Sequence, residues 1–263
     1  MEDKAKNREA WNTGAYQAWI NRFGTPQEAA ERLKEDPAKK LGILYQYMGE
    51  DVRGKKINNL LGSNGYKGVA LALLGAEVTV VDFSAENEKY AKELAAGAGT
   101  ELRYVLSDVL ELPEKELTGD YDIVLMENGI LHYFRDLGPL FQVVVKLLRK
   151  GGRLVLQDFH PVTTKLISSR GTTANIRKHK VTGDYFDTSL EEKEVAFSKY
   201  LDGDNMDSGV RKVYLRNWTL GEIITSAAGQ GLYIKVLEEL PNLSSEVFDK
   251  GIPKTFVLVA EKL

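Results

Sequence analysis

Cysteine is absent from the chain, so disulfides, thiolate metal sites and cysteine nucleophiles are excluded together, a pattern compatible with a reducing compartment. No apolar run approaches the length of a membrane span, and the opening MEDKAKNREAW carries charge where an export signal would carry an apolar segment. Nor is there an excess of positive charge: 35 Lys and Arg against 38 Asp and Glu leave a net charge of −3, which offers nucleic acid no global basic field. Internal repeats and low-complexity tracts are missing as well. Together these absences predict a cytoplasmic protein with neither nucleic acid nor membrane as partner. What is there is a composition of 43% hydrophobic and 28% charged residues over 263 positions, enough to bury one main core with decorations.

Over residues 56–160, apolar and β-branched strands alternate with amphipathic helices: INNLL, YKGVALALLG, EVTVVDF, AENEKYAKELAAG, LRYVLSD, YDIVLME, LGPLFQVVVKLLRKG and GRLVLQDF. This rhythm predicts an α/β core, a parallel sheet covered on both faces and joined by right-handed crossovers. Ahead of it, residues 1–55 read as helices with Trp11, Tyr16, Trp19 and Ile20 among polar residues, interrupted near FGTP. Residues 161–217 are polar and turn-rich, with one alternating piece at KEVAFSKYL, and read as a cap inserted after a sheet strand. Residues 218–263 return to the core pattern, with a capped helix at TLGEIITSAAGQG and strands at LYIKVLEEL and KTFVLVAEKL.

The segment LLGSNGYKG places glycines at 62, 65 and 68 between a strand and a helix. Such a turn lets backbone approach a ligand closely, and the helix that follows aims free N–H groups at it. Asp82 ends the next strand, 20 residues after Gly62, the spacing at which a doubly wound sheet sets a carboxylate to accept from both ribose hydroxyls of a nucleoside. Two other readings stay open. The glycines can form a plain tight turn, with Asp82 capping the helix that begins at Ser84. Alternatively, G-x-x-G-x-x-G resembles the turn of NAD(P)-binding short-chain oxidoreductases and epimerases. Those enzymes, however, begin their fold at the first strand and carry a Tyr-x-x-x-Lys pair. None of the 12 tyrosines here has a lysine four positions later, so no evident acid serves hydride transfer.

Four further segments, in order, are similar to the class I S-adenosylmethionine-dependent methyltransferases, over roughly residues 41–160 and the final two strands. They are INNLLGSNG as the glycine motif, VTVVDFS as the second-strand acid, VLSDVLELP as the third-strand aspartate segment, and YDIVLMENGILHYFRD as the fourth strand and its loop. LLRKGGRLVLQDFHP resembles the helix, Gly-Gly turn and fifth strand of that family. The resemblance implies a doubly wound, mostly parallel seven-stranded sheet of Rossmann-like type, with N-terminal helices and an inserted cap after strand five. It implies S-adenosylmethionine as cofactor, S-adenosylhomocysteine as product and a small-molecule acceptor, with a methyltransferase-like module that no longer catalyses as the alternative. Residue by residue, Gly62, Ser63 and Gly65 would border the methionine part, and Asp82 would grip the ribose beside Ser84. Phe83 would lie against adenine, Asp108 would accept from its amino group, and the Val109 N–H would face a ring nitrogen. Glu127 and Asn128 would line the floor under the sulfonium. Two departures stand out. The family motif usually has an acid two places before its first glycine, where Leu60 stands here, and a further glycine within the turn. That acid normally helps hold the cofactor's ammonium group. In the front extension, Tyr16 is expected to bind the cofactor's carboxylate, while Trp11 and Trp19 either close over the site or pack as core.

Methyl transfer is an in-line displacement from which a neutral sulfide leaves, so the protein must align the two reactants and remove one proton; no metal is required. His132 and His160 follow the fourth and fifth strands and can act as base, as substrate-positioning groups or as structural hydrogen-bonding residues. Glu127 competes as base where burial raises its pKa. His179 sits in a basic run that reads as solvated. Tyr185, Phe186, Tyr200, Tyr214 and Trp218, with Arg211 and Arg216, give the insertion an aromatic character that either suits a small, partly apolar substrate or anchors the insertion to the sheet. Front extension and insertion are expected to form a lid.

Overall fold

Residues 2–49, 51–167, 181–201, 212–241 and 251–263 are described by a computed structural model, residues 2–4 as backbone alone. The expectations for His179 and Arg211 fall outside these residues. The strands are β1 (Lys56–Leu60), β2 (Glu77–Asp82), β3 (Arg103–Leu106), β4 (Tyr121–Glu127), β5 (Leu148–Phe159), β6 (Leu190–Glu194), β7 (Lys212–Arg216), β8 (Leu232–Pro241) and β9 (Pro253–Lys262). Seven of them form one sheet in the order β3-β2-β1-β4-β5-β9-β8. The first five pair in parallel, and β9 runs antiparallel to both β5 and β8. This is the seven-stranded, mostly parallel sheet expected, with the order reversing beside β1.

The helices are α1 (Glu2–Trp11), α2 (Ala15–Phe23), α3 (Pro26–Glu35), α4 (Pro37–Leu41), α5 (Leu44–Tyr47), α6 (Tyr66–Leu73), α7 (Ala85–Ala98), α8 (Gly138–Leu147) and α9 (Leu220–Gly229). Their starts follow local chemistry. Thr25 with Glu28, and Thr219 with Glu222, form reciprocal capping boxes at α3 and α9, and the Ser84 hydroxyl accepts from the Asn87 N–H at α7. The helix expected to run through Gly151 stops four residues earlier. Leu148 already pairs with Tyr121, and Gly151, at φ 73°, turns the chain back into β5.

Apolar side chains cover both faces of the sheet. Ile57 and Val80 meet Trp19, Leu33, Leu71 and Tyr90 on one face; Leu60, Val124 and Leu156 meet Phe141, Val144, Trp218 and Phe256 on the other. Strands buried on both sides explain why the sequence shows near-continuous apolar runs rather than alternation.

The insertion and the front helices pack on one another. β6 and β7 form a two-stranded antiparallel sheet of their own. The Asn7 side chain on α1 bonds both backbone groups of Tyr214 on β7, donating to its carbonyl at 3.2 Å and accepting from its N–H at 2.8 Å. Phe197 is fully buried, its ring 5.3 Å from that of Trp11 and 6.1 Å from that of Trp19. Trp11 and Trp19 thus pack as core.

Phe197→Ala removes the ring that joins α1, α2 and the insertion. It is expected to cost about 3 kcal/mol or more, the usual loss for a buried Phe truncated to Ala, read from the denaturation midpoint. Tryptophan emission should shift to the red as Trp11 and Trp19 gain water.

Candidate active site

The carboxyl ends of β1, β2, β3 and β4 converge on the edge where an open α/β sheet binds its ligand. The turn after β1 is tightly held. Leu61, Ser63 and Gly65 all have left-handed backbones, with φ of 52°, 49° and 71°. Leu61 and Ser63 thus hold a conformation that costs a non-glycine residue about 1–2 kcal/mol. Gly65 admits no side chain, because a Cβ there would stand 2.7 Å from the Ala91 Cβ.

Asp82 holds this turn in place. One carboxylate oxygen accepts from the Ser63 N–H at 3.2 Å, and the other from the Ser84 N–H at 2.9 Å and the Asn87 amide at 3.2 Å. Burial pushes the Asp82 carboxyl up from its ordinary pKa, and these donors oppose the shift. Tyr104 reinforces the arrangement, donating its hydroxyl proton to the Ser63 carbonyl at 2.9 Å. The plain-cap reading of Asp82 is therefore half right: it does bond the α7 entrance, and it also ties that entrance to the glycine turn.

A cavity of about 340 Å³, within the usual range for small-ligand sites, reaches Phe83, the residue after Asp82, while Asp82 itself is not among its lining residues. Phe83, Asp108, Val109, Arg8, Tyr214 and His132 are among the residues that line it. Asp108 is buried at the end of β3 and accepts from the Leu110 N–H at 2.9 Å. The Arg8 guanidinium lies 5.9 Å from the centre of the Phe83 ring. The structure thus brings Phe83, Asp108, Val109 and His132 to one cavity.

Glu127 and Asn128 end β4 on the far side of β1. Asn128 is exposed and left-handed at φ 54°. The Glu127 Oε2 is buried without a hydrogen-bond partner among the described residues, and burial raises its pKa against the opposing pull of Lys67. Two more buried oxygens nearby lack partners, Ser63 Oγ and Asn59 Oδ1. Asn59, rather than Leu60, is the β1 residue beside the turn: its Oδ1 lies 2.7 Å from where a Cβ on Gly62 would stand, while Leu60 packs in the opposite core.

The two histidines part company. His132 Nδ1 lies 3.3 Å from the Arg216 carbonyl, which can only accept, so Nδ1 is the donor there. Its ring stacks on that of Phe159 at 6.3 Å. His160 is not among the residues lining the cavity. Its Nδ1 accepts from the Val162 N–H at 3.1 Å and its Nε2 donates to Glu239 at 2.7 Å, so both nitrogens are committed to structure.

Tyr16 also departs from expectation. Its hydroxyl donates to Glu93 on α7 at 2.5 Å, and Lys89 lies over its ring at 4.2 Å, so the side chain points along α7 and not into the site. Hydrogen bonding to the Glu93 carboxylate pushes its pKa up to about 12. What α2 offers there is its helix start: the Gly14 and Tyr16 N–H groups donate to the Glu86 carboxylate at 3.2 and 2.8 Å.

Two contributors have no signal in the sequence. Asp158, inside β5, accepts from the Gly129, Leu131 and Phe159 N–H groups at 2.5, 3.1 and 2.7 Å and so shapes the loop after β4. Lys67, on the first turn of α6, reaches across to Glu127, with Nζ 3.8 Å from Oε2.

Comparison with known proteins bears on the fold. Residues 61–156 match the family model for a methyltransferase domain. A demethylmenaquinone methyltransferase of Thermus thermophilus is 36% identical over 90 residues, a match that spans 33% of this chain and 38% of that relative. Among solved structures, an S-adenosylmethionine-dependent methyltransferase of Listeria monocytogenes described as putative superposes with a TM-score of 0.64 at 20% identity, covering 87% of this chain and all of its own. The 1,6-didemethyltoxoflavin-N1-methyltransferase of Burkholderia thailandensis, solved with 1,6-didemethyltoxoflavin and S-adenosylhomocysteine bound, gives 0.58 at 19% identity, covering 99% of this chain and 89% of its own. At these identities the structural likeness speaks for the fold. The doubly wound sheet with its antiparallel closing strand is the class I methyltransferase fold. Residues 61–156 are thus similar to a methyltransferase domain, set in a chain whose fold is that of S-adenosylmethionine-dependent methyltransferases.

Burial, outweighing Glu239, holds the His160 pKa below its ordinary 6.5. The unfolded chain therefore binds a proton on this ring where the folded one does not. The stabilising contribution is complete above pH 6.5 and is lost as pH falls from there through the folded value. His160→Gln, which cannot titrate, is expected to flatten that part of the stability-against-pH curve; equal acid limbs in both proteins would contradict the assignment.

Proposed function

We propose that the protein transfers a methyl group from S-adenosylmethionine to a small-molecule acceptor. The observation that carries this reading is the Asp82 carboxylate, fixed at the end of β2 between two backbone N–H groups and directly before Phe83, which lines a cavity together with Asp108 and Val109. The buried, unpartnered oxygens of Ser63, Asn59 and Glu127 fit the polar groups of such a cofactor. When bound, the cofactor supplies an electrophilic methyl on a sulfonium.

The chain's own residues then divide the work. Asp82 accepts from the ribose hydroxyls, with Ser84 holding its orientation. Phe83 lies along one face of the adenine, Asp108 accepts from the exocyclic amine, and the Val109 N–H donates to a ring nitrogen. Gly62, Ser63 and Gly65 border the methionine chain, and Asn128 edges the floor below the sulfur. His132 presents its unprotonated Nε2 to the acceptor and takes the proton released as the new bond forms. Glu127 is the other buried base at this edge. His160 stays outside the chemistry.

A small acceptor is supported by the cavity walls. Helix α1 and strand β7 close the outer side, tied to each other through Asn7, so the front extension and the insertion act as one lid that excludes water during transfer. The Thermus and Burkholderia proteins, by their names, also act on small molecules.

Calorimetric titration separates this reading from its rival: saturable binding of S-adenosylhomocysteine is expected, with none of NAD(H), and the reverse pattern overturns it. Asp82→Ala, checked for fold by circular dichroism, should weaken S-adenosylhomocysteine binding by about 1–3 kcal/mol, the cost of leaving buried donors unpaired. Asn7→Ala tests the lid. With about 1 kcal/mol of hydrogen bonding lost between α1 and β7, release of S-adenosylhomocysteine should quicken about fivefold in stopped-flow fluorescence. An unchanged release rate in folded protein would sink the lid.

A further inference from the structure

Across β1 from Asp82, two opposite charges are held together without touching. Lys67 stands in the first turn of α6, directly after the left-handed turn, and Glu127 is the last residue of β4. Their side chains are only 24% and 15% exposed, and Nζ and Oε2 are 3.8 Å apart, too far for a hydrogen bond. Lys67 Nζ donates one proton to the Lys40 carbonyl at 2.5 Å, which anchors it to the end of α4 and leaves two protons to give. Glu127 Oε2 is buried with no donor.

A sequestered ion pair is stable only when its remaining protons and lone pairs are also satisfied. A simple anion would satisfy Lys67 alone, and a simple cation Glu127 alone. A zwitterion of the α-amino acid type satisfies both at once, its carboxylate on the lysine and its ammonium on the glutamate. Position agrees with chemistry. β1 lies between β2 and β4 in the sheet, so a ligand held by Asp82 that crosses the end of β1 arrives at Glu127 and Lys67. Asn59, the β1 residue beside the turn, brings no charge to meet an ammonium.

Resting on the methyl-transfer reading, we propose that Lys67 and Glu127 recognise the amino-acid end of S-adenosylmethionine, Lys67 binding its carboxylate and Glu127 its ammonium. The pair supplies from α6 and β4 the charge that the glycine motif lacks. Burial and the neighbouring Lys67 pull the Glu127 carboxyl in opposite directions; a bound ammonium adds a second cation that favours the ionised form. On this assignment Glu127 is committed to the cofactor, and His132 remains the group facing the acceptor.

The test compares two ligands by calorimetry on the full chain: S-adenosylhomocysteine, and methylthioadenosine, which keeps the nucleoside and thioether but has no amino-acid end. Lys67→Met and Glu127→Gln should each weaken S-adenosylhomocysteine at least about tenfold, as expected for a charge-assisted hydrogen bond, and leave methylthioadenosine within about twofold. Lys67→Arg, which keeps the charge, should retain most of the affinity and guards against a folding defect in the methionine variant. Unchanged S-adenosylhomocysteine affinity in Lys67→Met, or equal losses for both ligands in the two neutral variants, overturns the assignment while leaving the ribose role of Asp82 intact. A wild-type chain that binds neither ligand overturns the methyl-transfer reading and this one with it.

Discussion

Asp82 draws donors from three places: the Ser63 N–H of the glycine turn, the Ser84 N–H at the entrance of α7, and the Asn87 amide one turn inside it. Each donor carries the linkage further. Asn87 Oδ1 accepts from the Trp19 indole at 2.8 Å, and the Ser84 hydroxyl donates to the Trp11 carbonyl at 2.9 Å. The front helices are thereby fixed to the same carboxylate that orders the ligand edge of the sheet. A buried acid with this many donors keeps one geometry, because breaking any bond leaves a polar group without water or partner.

That rigidity explains how the turn after β1 tolerates Leu61 and Ser63 in left-handed backbone. Glycine would take the same path without steric strain, but here the path is imposed from outside. The Gly62 N–H bonds the Val81 carbonyl, Ser63 bonds Asp82 through its N–H, and Tyr104 holds the Ser63 carbonyl. Strain retained under such constraint is a common mark of a binding edge, where a preset backbone spares the cost of ordering it around the ligand.

The packing of the front helices on the insertion rests on aromatic rings more than on polar contact. Phe197, Trp11 and Trp19 form a cluster that Phe23 and Tyr200 extend, and the Trp11 indole donates to the Tyr133 hydroxyl in the loop after β4 at 3.1 Å. Front extension, insertion and core loop are therefore coupled through one set of rings. Among the described residues no helix is long and apolar enough to cross a membrane.

Much of this was readable in the chain. Apolar runs between amphipathic segments determined the doubly wound sheet, and the interval from Gly62 to Asp82 determined which acid meets the turn, since both depend on spacing along neighbouring elements. The positions of Phe83, Asp108 and Val109 at strand ends were fixed in the same way. Tertiary structure decided the rest, because side chains far apart in sequence compete for the same partners. Tyr16 was drawn to Glu93 and Lys89 on α7, and His160 was taken by Val162 and Glu239. The meeting of Lys67 with Glu127, and of Asn7 with Tyr214, depends on how α6 and α1 settle against strands that the sequence places 60 and 207 residues away. No local pattern encodes such pairs; they exist only once hydrophobic burial has brought the elements together and left those polar groups with one another.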